Sequence, residues 1–411
     1  MKTIGQYILR TFLLLMIGIV SFITAPGTMG QCPIKFEGNE NALVGIYIEE
    51  ISTGKKIASY NAEKSLTPAS ILKSVTTASA LQLLGPDFRF DTSFYLIGKN
   101  PGQGEADLII KASGDPTTGS REFKDSGNLP DQISRSLKDL GLHVVNGDIK
   151  IEGEVLPDDG IVPQWEVEDI TESYGVGLYP FNWLDNYFES DFIIPSPPEY
   201  FRELLFDRFA IDGISFETEL IEEENESLNQ TDTLLIFSHK SEPLKDIMKS
   251  LMVRSDNLMA EGTLRAIAQY QPRDSAIALE KDLWRERGVN LKHSRIIDGS
   301  GLSRGNAISP SMIGKILTLM AKSEYAEDYI TLFPTAGKEG TVKSFLRGTR
   351  LAGKMAVKSG SMSGVHCYAG YVIDPATSFP SHTVVVMVNN FYCQRTELRK
   401  AIERYLLNVI H

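Results

Sequence analysis

Cysteine is scarce in this chain: 411 residues contain three, Cys32, Cys367 and Cys393. So sparse and odd a set excludes a disulfide-stapled scaffold and leaves room for one bridge at most, between Cys367 and Cys393 if these fall on neighbouring C-terminal strands. Histidine is also rare, with six residues and no HExxH or other close pairing, so neither a metal site nor a cofactor is expected. Positive charge is in deficit. The 41 Lys and Arg against 53 Asp and Glu give a formal net charge of −12, which removes the electrostatic basis for coating a nucleic acid. Beyond the first thirty residues no apolar run is long enough to span a bilayer. What is left, 42% hydrophobic and 23% charged residues, is ordinary globular composition with length enough for two or three domains.

Residues 1–30 stand apart. Lys2 and Arg10 flank the start of an apolar run, Phe12 to Ile23, which is too short to cross a bilayer comfortably and has the charge pattern of a secretory signal. Thr28-Met29-Gly30 is the expected cleavage site, because a cut after Ala25 would place Pro26 just beyond the scissile bond. The mature, exported and soluble chain is then expected to begin near Gln31. A lipid anchor on Cys32 would need a small residue where Gln31 stands.

Residues 42–60 alternate apolar and polar on either side of Ser52-Thr53-Gly54-Lys55, the pattern of a hairpin. Pro68-Ala69-Ser70 follows, and apolar residues at helical spacing then run from Ile71 to Leu84 before Gly85-Pro86 stops them. From about Asp91 to Asp232 the texture changes to short strands and turns, marked by Gly98 to Gly104, Gly114-Asp115-Pro116 and Pro195 to Pro198. This stretch, 91–233, reads as an inserted, mostly β domain. Its acidic run, Glu222 to Glu226, is polar enough for a mobile loop. Helical periodicity returns from Leu234, on either side of Ser255-Asp256-Asn257. Strand candidates at Met355 to Lys358, Cys367 to Ile373 and Thr383 to Val388 precede a closing helix near Thr396 to Val409, whose apolar stripe fits core packing better than a membrane surface. Strands from both termini flank helices, which is an α+β arrangement: one domain from 31–90 and 234–411, interrupted by 91–233.

Three short patterns could carry chemistry: Ser70-Ile71-Leu72-Lys73, Ser255-Asp256-Asn257 and Lys358-Ser359-Gly360. Singly each is weak, for Ser52 to Lys55 is also an SxxK, and Ser126-Gly127-Asn128 and Ser227-Leu228-Asn229 are also SxN. Context separates them. Ser52 falls in a hairpin turn, whereas Ser70 begins a helix, where a lysine three residues on shares its face and reaches its hydroxyl. A serine needs a base to become a nucleophile, and a lysine is that base only when neutral. Neutrality at pH 7 costs about 4 to 5 kcal/mol from an unperturbed value near 10.4 unless burial and a second cation, such as Lys358, share it. Ser255 could pass a proton between Lys73 and a leaving amine, and Asn257 could hold a substrate amide, although Ser and Asn between helices ordinarily cap them. Lys358-Ser359-Gly360, near the end of a strand, offers a cation and a hydroxyl to an extended peptide and its carboxylate, with Gly360 allowing close backbone approach.

The order SxxK, SxN, K-[ST]-G is the set shared by penicillin-binding proteins and class A β-lactamases. The stretch from Lys73 to Ser255 is far longer than a β-lactamase's single helical lobe needs. The sequence resembles the D-alanyl-D-alanine carboxypeptidase/endopeptidase family of low-molecular-mass class C penicillin-binding proteins, peptidase family S13, over nearly the whole mature chain. The resemblance rests on Pro68-Ala69-Ser70, Gly114-Asp115-Pro116-Thr117, the run Ser255 to Glu261, Leu332-Phe333-Pro334 with Gly337 and Gly340-Thr341, and Lys358 to Ser361. Its most specific part is Asp298-Gly299-Ser300-Gly301-Leu302-Ser303-Arg304. Two departures are visible: a shorter insert than in the largest members, and Ser359 where Thr is usual.

That resemblance implies a transpeptidase-like fold, an antiparallel sheet with a helical lobe, and a periplasmic enzyme acting on peptidoglycan stem peptides and inhibited by β-lactams. It implies Ser70 as the acylated nucleophile, Lys73 as base, Ser255 as relay, and Asn257, Lys358 and Ser359 as substrate holders. The backbone N–H groups of Ser70 and Ser361 become the oxyanion hole, and Asp115 the partner of a diamino-acid amine on the stem. Two other readings compete. A serine β-lactamase needs a deacylating Glu, and the nearest ExxLN pattern, Asn225 to Asn229, has Asn in that place. A catalytically dead peptidoglycan-binding module would not need all three motifs.

Overall fold

The computed structural model describes residues 31–123, 128–153, 160–189, 191–217, 232–269 and 271–411. The expected signal segment, Ser126 and the acidic run with its Asn225 to Asn229 pattern lie outside these residues. Strand β1 (Leu43–Glu50) turns at Gly54 into β2 (Lys56–Tyr60), and the Lys73–Leu84 helix follows. The chain then builds a second sheet from β3 (Asp91–Asn100), β4 (Glu105–Lys111), β6 (Ile149–Glu152) and β8 (Asp232–Lys240), while the short strands β5 (Val144–Asn146) and β7 (Ser215–Glu217) pair with each other in parallel. It returns through the helices Leu244–Arg254, Asn257–Ile267, Arg273–Glu286 and Pro310–Ala321, and ends in β9 (Met355–Met362), β10 (Val365–Ile373), β11 (Pro380–Asn389) and the Arg395–Val409 helix.

Chain ends and beginnings share one antiparallel sheet, in the order β2-β1-β11-β10-β9. The alternation read along β1 is absent, since its six inner residues are all buried. Tyr47 packs with the helices on one face, while Val44, Ile46 and Ile48 pack beneath the C-terminal helix on the other. A strand covered on both sides becomes a continuous apolar run. Only the edge strand β2 keeps alternating exposure. The stripe Leu398, Ile402 and Leu406 is buried against this sheet.

The second sheet runs β6-β4-β3-β8, with β4 and β6 parallel and the other pairs antiparallel. Its core joins Phe94, Leu108 and Ile110 to two helices, Leu129–Asp139 and Pro197–Asp212. The sequence reading placed turns where the second helix starts. Pro197 and Pro198 instead occupy the first helical turn, where a missing N–H costs nothing, and Ser196 Oγ accepts from Glu199 N at 3.5 Å. Helical periodicity does not resume at Leu234 either: β8 pairs with β3 along its length, and the helix starts at Leu244. All three cysteines are free thiols, and Cys393 lies beyond β11, so the strand-to-strand bridge considered for Cys367 does not form.

Candidate active site

Ser70 sits in a 3-10 turn, Ala69–Leu72, that runs straight into the Lys73–Leu84 helix. Ala69 holds φ +48°, a left-handed value that a side chain tolerates only when its surroundings enforce it. Two glycines supply that enforcement. A Cβ on Gly301 would lie 2.0 Å from the Ala69 carbonyl oxygen, and one on Gly360 would lie 2.8 Å from Pro68 O and 2.9 Å from Ser70 N and Ile71 N. The loop around Ser300 and strand β9 therefore grip the serine turn backbone to backbone.

Lys73 is fully buried. Its Nζ donates to Ser70 Oγ at 3.2 Å, to Asn257 Oδ1 at 2.5 Å and to Ser300 O at 2.7 Å. Burial pulls its pKa from 10.5 to about 8, against the opposing pull of Asp298, Glu261 and Asp256. When the ammonium loses a proton, the two remaining N–H groups keep Asn257 and Ser300, and the lone pair is left for the Ser70 hydroxyl. Lys358, also fully buried, donates to Ser255 Oγ at 2.8 Å and to Ser359 O at 2.7 Å. Burial and then the Lys73 charge hold its pKa well below the ordinary lysine value. Burial, not the second cation that the sequence suggested, is what lowers Lys73.

Ser255 terminates the Leu244–Arg254 helix with φ +65°. The capping role anticipated for Ser or Asn falls to Asp256, whose Oδ1 accepts from Met259 N at 2.9 Å. Ser255 and Asn257 are thereby free of capping. The carboxamide of Asn257 accepts from Lys73 and donates to Tyr174 O at 2.8 Å. Glu261, one turn further along, accepts from the N–H groups of Gly299 and Ser300 at 3.0 and 2.8 Å, fixing the carbonyl that receives Lys73. Asp298 Oδ1 accepts from Gly301 N and Asn306 Nδ2, and Oδ2 from Ser303 N and Trp165 Nε1, at 2.7 to 3.0 Å. The Asp298 to Arg304 loop is therefore a hydrogen-bonded platform behind the base.

Strand β9 forms the other wall. Lys358, Ser359 and Gly360 lie within it, not at its end. It is an edge strand, and a second segment covers only the first half of that edge, through a Thr335–Ala356 bridge and Val357 N to Pro334 O at 3.0 Å. The half that begins at Lys358 borders a cleft of about 320 Å³ containing Ser70, Ser255, Ser359 and Ser361. Ser359 Oγ donates to Thr341 Oγ1 at 2.7 Å.

One expected residue is misplaced. Asp115 does not line this cleft; it is 2% exposed, and its Oδ1 accepts from Thr117 N at 2.8 Å and Thr117 Oγ1 at 2.5 Å. Burial raises its pKa to about 6. Its Oδ2 has no hydrogen-bond partner among the described residues and lies 4.0 Å from His239 Nε2, so the carboxylate stands apart from the Ser70 cleft. The motifs gave no role to Tyr174, Trp165, Arg395 or Arg399, which reach the site from distant parts of the sequence. The four-residue spacing of Arg395 and Arg399 at the head of the last helix was the available signal for two of them.

A serine held between a buried lysine and an open strand edge, with a second serine–lysine pair across the cleft, defines a serine acyl-transfer enzyme of the penicillin-binding fold. The chain matches the D-Ala-D-Ala carboxypeptidase 3 (S13) family over residues 35–190 and 188–407, and it belongs to that family of hydrolases. The D-alanyl-D-alanine carboxypeptidase DacB of Haemophilus influenzae is 24% identical over 407 residues, covering 81% of this chain and 83% of that protein. A D-alanyl-D-alanine carboxypeptidase of Actinomadura sp. is 24% identical, covering 82% and 76%. The crystal structure of Haemophilus influenzae penicillin binding protein 4 superposes with a TM-score of 0.77 at 22% identity, over 92% of this chain and 97% of that one.

Proposed function

We propose that the protein is a periplasmic serine D-Ala-D-Ala carboxypeptidase that trims peptidoglycan stem peptides through an ester on Ser70. The observation that carries this reading is Lys73: buried, depressed to about 8, with an acceptor for each N–H it keeps and Ser70 Oγ 3.2 Å from its nitrogen. Neutral Lys73 takes the hydroxyl proton as Oγ attacks the penultimate D-Ala carbonyl. The oxyanion meets the backbone N–H groups of Ser70 and Ser361, and Asn257 holds the acyl amide. The C–N bond then breaks, and the leaving amine takes its proton through Ser255, beside Lys358. Water attacks the ester, the shortened stem leaves, and the proton returns to Ser70. Lys358, Ser359 and Gly360 line the strand edge along which the peptide extends.

A β-lactam sets a strained amide and a carboxylate where the stem has its scissile peptide bond and terminal carboxylate, so it acylates the same serine. The same reading takes the enzyme in two parts, 31–90 with 234–411 and the insert 91–233, and the run of β8 from Asp232 to Lys240 supports carrying the insert a few residues further. The test is intact mass of the mature protein with benzylpenicillin, followed over time. A long-lived adduct mapped to the Ser70 peptide, absent in Ser70→Ala, is the expected result. An adduct that survives Ser70→Ala overturns the nucleophile, and rapid drug consumption without an adduct overturns the peptidase in favour of a β-lactamase.

A further inference from the structure

Two cavities meet at Ser255 and differ in charge. The larger, about 320 Å³, contains Ser70 and is walled by Arg395 and Arg399, with no carboxylate among its lining side chains. The smaller, about 140 Å³, contains Asn257 together with two carboxylates, Asp185 and Asp256, and one guanidinium, Arg254. In a chain of net charge −12, a carboxylate-free cavity with two guanidiniums beside a nucleophile is a selective feature.

Arg395 and Arg399 lie four residues apart in the first turns of the Arg395–Val409 helix, so both face the cavity together. Neither is spent on a bidentate carboxylate. Arg395 Nη2 donates to Met362 O at 3.3 Å, and among the described residues it makes no ion pair. Arg399 Nη1 donates to Ser344 Oγ at 2.7 Å, while its buried Nε has no hydrogen-bond partner and lies 3.9 Å from Glu403. Their combined field is visible on His366 in the same wall: burial, then these two arginines, push its pKa to about 4, so it stays neutral. The hydroxyl of Ser359 has committed its proton to Thr341. The hydroxyls of Thr341, Ser361 and Thr396 also line the cavity, and its charged donors are those of the two arginines.

The proposed function puts the acyl half of the substrate on the Asn257 side of Ser255, which leaves the arginine-walled cavity for the departing amino acid. Resting on that reading, we propose that Arg395 and Arg399 are specificity residues of the leaving side, recognising the carboxylate α to the scissile nitrogen. The enzyme then selects substrates whose leaving group is anionic and rejects those in which that carboxylate is an amide. Guanidinium–carboxylate pairs are charge-assisted and match in geometry, which makes them suited to this discrimination.

The test uses two peptides with one acyl half, ending in D-alanine or in D-alaninamide. The unaltered mature protein is expected to favour D-alanine in kcat/KM by roughly ten- to a hundredfold, and the Arg395→Gln/Arg399→Gln protein to bring that ratio close to one. The single variant Arg395→Gln, whose guanidinium bonds only to a backbone carbonyl, is expected to lower the ratio part of the way and covers the case of a misfolded double variant. Equal selectivity in variant and unaltered protein, or no preference in the unaltered protein, overturns the assignment. Ser70→Ala, assayed in parallel, must lose both substrates; if it retains them the acyl-enzyme reading has failed, whereas an unchanged ratio with Ser70→Ala inactive sinks only the arginine assignment.

Discussion

Gly360→Ala tests the idea that strand β9 sets the position of the nucleophile. The added methyl would lie 2.8 Å from Pro68 O and 2.9 Å from both Ser70 N and Ile71 N. All three are backbone atoms, with no side-chain torsion to relieve the contact. Ordinary van der Waals contact begins near 3.4 Å, so strand and turn must part by about 0.6 Å. Overpacking of this kind costs about 1 to 3 kcal/mol of stability. Displacing a reacting group by about 1 Å costs about a hundredfold in rate, so 0.6 Å alone predicts a loss of about tenfold. The methyl also sits against Ser70 N, and loss of that donor to an oxyanion would take the deficit to about a thousandfold or more. The measurement is the second-order rate of acylation by benzylpenicillin, read by intact mass, beside thermal unfolding. Gly102→Ala is the control, because its Cβ meets nothing within 4 Å. A Gly360→Ala protein acylated within twofold of the parent rate would refute the claim that this contact positions Ser70.

Further outcomes follow from the same geometry. Acylation should rise with pH about a midpoint near 8, where Lys73 loses its proton, and a flat profile from pH 6.5 to 9 would remove Lys73 as base. The fold carries a linked cost: a lysine lowered from 10.5 to about 8 destabilises the native state by about 3 kcal/mol below pH 8, and the cost fades as pH rises towards 10.5. The urea midpoint should accordingly rise between pH 7.5 and 9. Asp298→Asn turns an amide N–H₂ towards Trp165 Nε1 and Ser303 N or towards Gly301 N, and unfolding should show a loss of about 2 to 4 kcal/mol. Thiol titration in denaturant should count three cysteines without reductant.

How much of this was legible in the sequence depends on the range of the interaction. Ser70 and Lys73 share one helix face, so their contact is local and the SxxK spacing encodes it. The α+β class was legible because β1 and β11 both carry dense β-branched runs. The two-sided burial of β1 was not, since it depends on the Pro310–Ala321 and Arg395–Val409 helices packing on opposite faces. Pro195 to Pro198 misled for a related reason: the same residues start a turn or a helix, and Ser196 with Glu199 decides between them. Asp115 shows the limit of carrying over a motif. The Gly114 to Thr117 pattern is present, but the carboxylate turns inward onto Thr117, and that direction is set by tertiary packing.

The two lysines provide a last test, because they lose their protons in sequence. The charge of Lys73 lowers the pKa of Lys358, so Lys73 is still an ammonium while Lys358 titrates, and burial is what lowers Lys73. Two buried ammoniums around one cleft titrate as a pair, and the first proton lost relieves the second. Lys358→Gln removes the titrating amine while keeping a donor for Ser255 Oγ. The midpoint of the acylation profile should then stay near 8, because burial is what lowers Lys73 and Lys358 is already neutral when Lys73 titrates. The rate itself falls for other reasons, so the profile is normalised to its plateau. A midpoint that climbed well above 8 would mean that a charged Lys358 also prepares Lys73, and would refute the order in which the two lysines lose their protons.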